Sequence, residues 1–138
     1  MNREDFQKLA ETRLEDAKAL LKAGRFDAAY YLAGYVVECA LKACIAKQTK
    51  EYDFPPRNAQ NLYTHDLETL LKASEFGRSF DTESNRDAKL KEYWDIVKDW
   101  EETRRYELLD EAKIGAEALL QAIADENHGV LRCISKYW

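Results

Sequence analysis

A chain of 138 residues with 46% apolar and 34% charged side chains has the length of one domain and the make-up of an ordinary folded protein, which excludes both a two-domain reading and disorder. Its formal net charge of −5 excludes a protein that coats nucleic acid by bulk attraction, since such binding rests on neutralising phosphates with Lys and Arg. Only five Gly and two Pro punctuate the chain, so long helices are expected.

From about Asn2 to Ala23, Phe6, Leu9, Ala10, Ala17, Leu20 and Leu21 recur at helical spacing between charges, predicting an amphipathic helix that Gly24 ends. The start of the chain, MNREDFQKLAE, is charged from its second residue and carries no apolar signal core; a cytoplasmic protein is expected. A second helix is predicted from Phe26 or Asp27 to about Lys47. Within it, AAYYLAGYVVECALKACIAK (Ala28 to Lys47) is apolar on nearly every side. Such a helix has to be covered all round, and in a chain this short the second cover is expected from another copy, so a homodimer is expected. The run is nearly long enough to span a bilayer, but Glu38 and Lys42 in its middle would be costly there, and no membrane association is expected. Glu38 and Lys42 stand four apart with Glu first, the favourable order for a helical pair. They are expected to pair and mark the edge of an interface, or else to line a polar pocket between subunits.

Thr49 to Tyr63 reads as a loop, because Pro55 and Pro56 cannot sit inside a helix. Thr64 reads as the N-cap of a short third helix with Asp66 in its first turn, a stripe of Leu67, Leu70 and Leu71, and an end near Glu75. Phe76 to Ser84 reads as another loop. A fourth helix is predicted from Asn85 to Arg104 on the spacing of Leu90, Tyr93, Trp94, Val97 and Trp100, and a fifth from Leu108 to Ile123. Gly129 separates that last helix from a tail with Arg132, Lys136, Tyr137 and Trp138, read as solvated or docked on the domain. No run alternates at period two long enough for a strand. The fold class expected is therefore all-α, an antiparallel up-and-down bundle of four to five helices. It forms one domain over residues 1–138, with a core of about 2–125 and a C-terminal tail over 126–138.

Few residues invite chemistry. His65 lies at the start of the third helix, where the positive end of the dipole disfavours imidazolium, so it is expected to be a neutral ring able to take a proton or to complete a turn. Arg104, Arg105 and Tyr106 set two guanidinium groups and a ring at a predicted helix end; the pattern suits phosphate binding with base stacking, and equally a C-terminal cap. Cys39, Cys44 and Cys133 form no CxxC pair and read as buried thiols in a reducing compartment. There is no glycine-rich phosphate loop, no HExxH, no nucleophile elbow and no paired Cys/His spacing, so neither a metal nor a cofactor is expected.

Three stretches together resemble the HEPN domain family (higher eukaryotes and prokaryotes nucleotide-binding): GRFDAAYYLAGYVVECALKACIAK in the second helix, THDLETLL opening the third, and WDIVKDWEETRRYE before the last long helix. The resemblance implies a small helical bundle that dimerises by helix packing. It also implies a setting in which many members stand beside a minimal nucleotidyltransferase as the toxin of a toxin–antitoxin pair. The catalytic members are metal-independent ribonucleases marked by Arg, four to six residues, then His; the His moves a proton as the ribose 2′-hydroxyl attacks and the Arg steadies the phosphate.

This chain departs from that motif. It has two histidines. The positions where an Arg would have to stand hold Asn58, Ala59 and Gln60 before His65, and Gln121, Ala122 and Ile123 before His128. Arg57 is the nearest, with seven residues between it and His65. No His follows Arg104 and Arg105 at 109–112, which read Leu, Asp, Glu, Ala. The reading that results is a module without catalysis of its own that binds nucleotide, RNA or a nucleotidyltransferase partner, through Arg104, Arg105, Tyr106, His65 and Lys42. The alternative is a metal-independent ribonuclease toxin with a non-standard site of His65 with Arg105, or His65 with Arg57.

Overall fold

The computed structural model describes residues 1–48, 63–101 and 109–138. Arg57, Arg104, Arg105, Tyr106 and the proline pair lie outside the described residues. Seven helices and no strand occur among the described residues: α1 (Arg3–Lys22), α2 (Phe26–Gln48), α3 (Leu67–Ala73), α4 (Glu75–Arg86), α5 (Ala88–Lys98), α6 (Leu109–Ala124) and α7 (Val130–Ile134). The all-α class stands; α1, α2 and α6 are the longest helices, and α3, α4, α5 and α7 complete the bundle.

The first helix starts where a capping box fixes it: the Asn2 side chain accepts from the Asp5 N–H at 2.9 Å while Asp5 accepts from the Asn2 N–H at 3.0 Å. Its apolar face lies along α2, and α2 in turn packs against α3, α4, α6 and α7. Thirteen of the 23 residues of α2 are buried, including fully enclosed Val36, Val37 and Leu41. By length and composition α2 could cross a bilayer, yet 72% of its most apolar window is buried inside the bundle. One chain thus covers α2 on most sides. The premise that drew a second subunit over this helix fails, because the short elements α3, α4 and α7 supply cover that the sequence did not reveal.

Three local expectations are corrected. The α3 N-cap is Asp66, whose carboxylate accepts from the Glu68 and Thr69 N–H groups at 3.0 and 3.4 Å. Thr64 instead accepts from the Asp66 N–H at 3.0 Å, two residues upstream of the cap. Next, the expected loop from Phe76 to Ser84 is helix α4. Buried Ser74 starts it, donating to the Leu71 carbonyl at 2.8 Å and accepting from the Gly77 N–H at 3.1 Å. Gly77 is no breaker there: a Cβ on it would stand 1.9 Å from the Leu71 carbonyl oxygen, so the residue lets α4 fold tightly back on α3. Finally, the expected helix over 85–104 is interrupted at Asp87, which caps α5 by accepting from the Lys89 and Leu90 N–H groups at 3.1 and 3.2 Å. That helix closes at Lys98, so Trp100 lies beyond it while still being buried.

Residues after 125 are no solvated tail. Val130 and Ile134 are fully enclosed, the Cys44 thiol lies 3.8 Å from the Ile134 carbonyl oxygen, and the Tyr137 hydroxyl donates to Glu83 at 2.8 Å. The joint between the ends of α4 and α6 is tied similarly. Asp87 meets His128 Nδ1 at 2.8 Å, and Asp125 accepts from the Tyr93 hydroxyl at 2.6 Å.

Burial works against the Asp87 carboxylate, but hydrogen bonds from His128 and the helix N–H groups outweigh it and hold the group below its ordinary value of 3.8; the Tyr93 hydroxyl does the same for Asp125. Folded, both groups bind their protons less tightly than in the unfolded chain. Their stabilisation is present above the ordinary carboxylate value and is lost as pH falls through it and below. Urea unfolding midpoints measured from pH 7 to pH 3 should therefore fall, and Asp87→Asn with Asp125→Asn should flatten that fall.

Candidate functional site

The one buried carboxylate among the described residues belongs to Glu38, 5% exposed in the middle of α2. A lone carboxylate in such a place costs several kcal/mol of desolvation unless cations and hydrogen bonds meet it. Two groups do. Lys42, one turn further along α2, reaches Oε2 at 3.4 Å, and His65, just ahead of the α3 N-cap, meets Oε1 through Nδ1 at 2.5 Å. Each carboxylate oxygen thus has its own partner. An acceptor-only carboxylate implies that His65 Nδ1 carries the proton and donates.

The three side chains differ in exposure, and that difference orders the site from inside to outside. Glu38 is 6% exposed as a side chain, Lys42 15% and His65 42%. Aromatic rings extend the site along α2. Tyr35 sits edge-on to His65 with ring centres 5.6 Å apart, to Trp100 at 5.4 Å and to Tyr31 at 5.0 Å. The hydroxyls of Tyr31 and Tyr35 lie 3.2 Å apart. Trp100 locks one end: its indole N–H donates to the Tyr30 carbonyl at 3.2 Å, and its ring occupies the space above Gly34, where a Cβ would stand 1.8 Å from the indole. Gly34 therefore makes room for Trp100 just past the end of α5.

The structure accordingly brings together His65 and Lys42 from the expected set, with Glu38 at their centre. Glu38 and Lys42 do pair, at 3.4 Å along α2. The positions of Arg104, Arg105, Tyr106 and Arg57 fall outside the described residues. Tyr35, Trp100 and Gly34 were missed as parts of the site. The only early signal for them was the Tyr-rich face of α2, which reads equally well as core.

No group of three His, Cys, Asp or Glu side chains arranged to hold a metal occurs among the described residues. The thiols are buried and unpaired. Burial pushes Cys39 and Cys133 up to about 11 and Cys44 to about 12, so none is a thiolate nucleophile at neutral pH.

Comparison with curated proteins and with solved structures finds no match. The sequence pattern of the HEPN domain family matches residues 4–125, from the first turns of α1 to the end of α6, and the chain belongs to the HEPN domain family.

Proposed function

We propose that this chain is a HEPN module that binds nucleotide or RNA at the Glu38, His65 and Lys42 cluster without cleaving it. The observation that carries the reading is the buried Glu38 carboxylate, which holds one imidazole and one ammonium at the edge of a Tyr31, Tyr35 and Trp100 face. The Lys42 ammonium can meet phosphate, and the Tyr31 and Tyr35 rings, with buried Trp100 packed edge-on against Tyr35, offer platforms for bases; single-stranded nucleic acid is bound by that combination. Arg104 and Arg105 follow Trp100 by four and five residues in the sequence and would add the guanidinium charge that the cluster itself is short of, with Tyr106 beside them. The net charge of −5 confines such binding to this local site.

A homodimer and a nucleotidyltransferase-type protein partner belong to the same proposal. Their support is the family membership together with apolar side chains left in solvent, Ile114 at 67% and Ile96 at 40% exposure. The setting is cytoplasmic.

One observation favours a second reading, the metal-independent ribonuclease toxin. A carboxylate bonded to Nδ1 fixes the tautomer and orientation of an imidazole, as a proton-transferring histidine requires. Arg105 or Arg57 would then have to steady the phosphate. The missing Arg-x4-6-His spacing weighs against it.

Binding is tested by fluorescence polarisation of a labelled single-stranded RNA 12-mer in metal-free buffer. Wild type should saturate, and Lys42→Ala and Arg105→Ala should each weaken binding by about three- to tenfold, the loss of one phosphate contact. Wild-type affinity in both variants would overturn the assignment of the site.

A further inference from the structure

A groove of about 360 Å³ opens between α1, the end of α6 and α7, and none of Glu38, Lys42 and His65 lines it. Leu14, Ile123, Leu131 and Trp138 give the groove an apolar lining, and Glu11 and Glu126 stand on its rim. The walls made by Leu131 and Trp138 belong to residues beyond the 4–125 stretch that matches the family.

The charge around this lining has one dominant sign. Glu11 and Glu126 are exposed and make no ion pair among the described residues. Asp125 adds a third carboxylate, held in its ionised form by Tyr93 and the turn N–H groups. The last turn of α6 carries no basic residue to offset the negative end of its dipole. The single cation, Arg132, donates to the Asn127 carbonyl at 3.2 Å. Phosphate-bearing ligands and anionic bilayers are repelled by such a rim. An apolar side chain flanked by lysine or arginine is attracted twice, by the lining and by the rim, and the Trp138 ring can also receive a cation.

From this complementarity we infer that the groove between α1, α6 and α7 docks a basic, apolar peptide segment of a partner protein, at a site separate from the Glu38 cluster.

The test uses the full chain and a fluorescein-labelled peptide, Lys-Lys-Leu-Trp-Leu-Lys-Lys, titrated by polarisation, beside a peptide with glutamate in place of every lysine. The basic peptide should saturate and the acidic one should not bind. Glu11→Lys combined with Glu126→Lys should weaken the basic peptide by about tenfold and flatten its salt dependence. Trp138→Ala should weaken it as well. Glu101→Lys, an exposed reversal elsewhere, should leave affinity unchanged and controls for bulk charge. The inference is overturned by absence of saturation, by equal loss in Glu101→Lys, or by an unaffected double reversal. Sedimentation of the same proteins provides a further check: self-association present in wild type and abolished by the double reversal would give the groove to a second copy and also overturn it.

Discussion

Gly34→Ala is expected to destabilise the fold by about 1–3 kcal/mol, although alanine is the better helix former. In an ordinary helix interior the change would gain about 0.5–1 kcal/mol from helix propensity. Here the added Cβ would stand 1.8 Å from Trp100 Cε2 and 2.2 Å from its Nε1, so the indole has to leave its seat. Overpacking of this kind costs about 1–3 kcal/mol, and the displaced indole also loses its bond to the Tyr30 carbonyl and its edge contact with Tyr35. Urea unfolding gives the cost. A double-mutant cycle with Trp100→Ala gives its origin, because in that background the recess is empty and Gly34→Ala should be harmless or stabilising. A Gly34→Ala protein at least as stable as wild type would show that Trp100 does not occupy the Gly34 recess.

The second large effect is expected at Glu38. Truncation to alanine removes the acceptor for both His65 and Lys42 and leaves an ammonium whose side chain is only 15% exposed without its partner. Breaking a buried pair from one side costs about 3–5 kcal/mol. The half-exposed His65 recovers water, so about 2–4 kcal/mol is expected here. The contrast with a joint replacement is informative. Glu38→Leu with Lys42→Met removes both charges, and part of the loss should be regained because no unpaired ion is left inside. Thermal and urea unfolding of the single and double variants measure this. A Glu38→Ala variant within 0.5 kcal/mol of wild type, the range of ordinary surface changes, would mean that the carboxylate is no anchor.

The legibility of this fold in its sequence followed the range of the interactions involved. The helices α1 and α2 and the all-α class were readable because the apolar spacing of α1 and the continuous apolar run of α2 act within a few residues. Helix α4 was not, because Gly77 looks like a breaker and becomes a requirement only when α3 stands against it. The α3 start was misplaced by two residues because Thr64 and Asp66 are both good caps, and the structure uses them in series. Trp100 fell inside a helical pattern that in fact ends at Lys98, since its position answers to Gly34, 66 residues earlier in the chain. The same holds for the site. The Glu38 to Lys42 pair is local and was foreseen, but the bond to His65 spans 27 residues, and no local pattern shows which distant histidine will meet a buried carboxylate. The need for a second subunit over α2 was overestimated for the same reason: short helices far along the chain cover it.

On the proposed function the Glu38 cluster is a rigid ligand platform: a buried carboxylate holds His65 and Lys42, and Trp100 packs against Tyr35. The question that decides between binding and cleavage is whether the oriented His65 ever transfers a proton. End-labelled single-stranded RNA incubated with the wild-type chain in chelator, and resolved on a denaturing gel beside a native gel of the same mixture, answers it. RNA retarded on the native gel and intact on the denaturing one is the result expected; shortened RNA with wild type, abolished by His65→Ala, would make His65 a catalytic group.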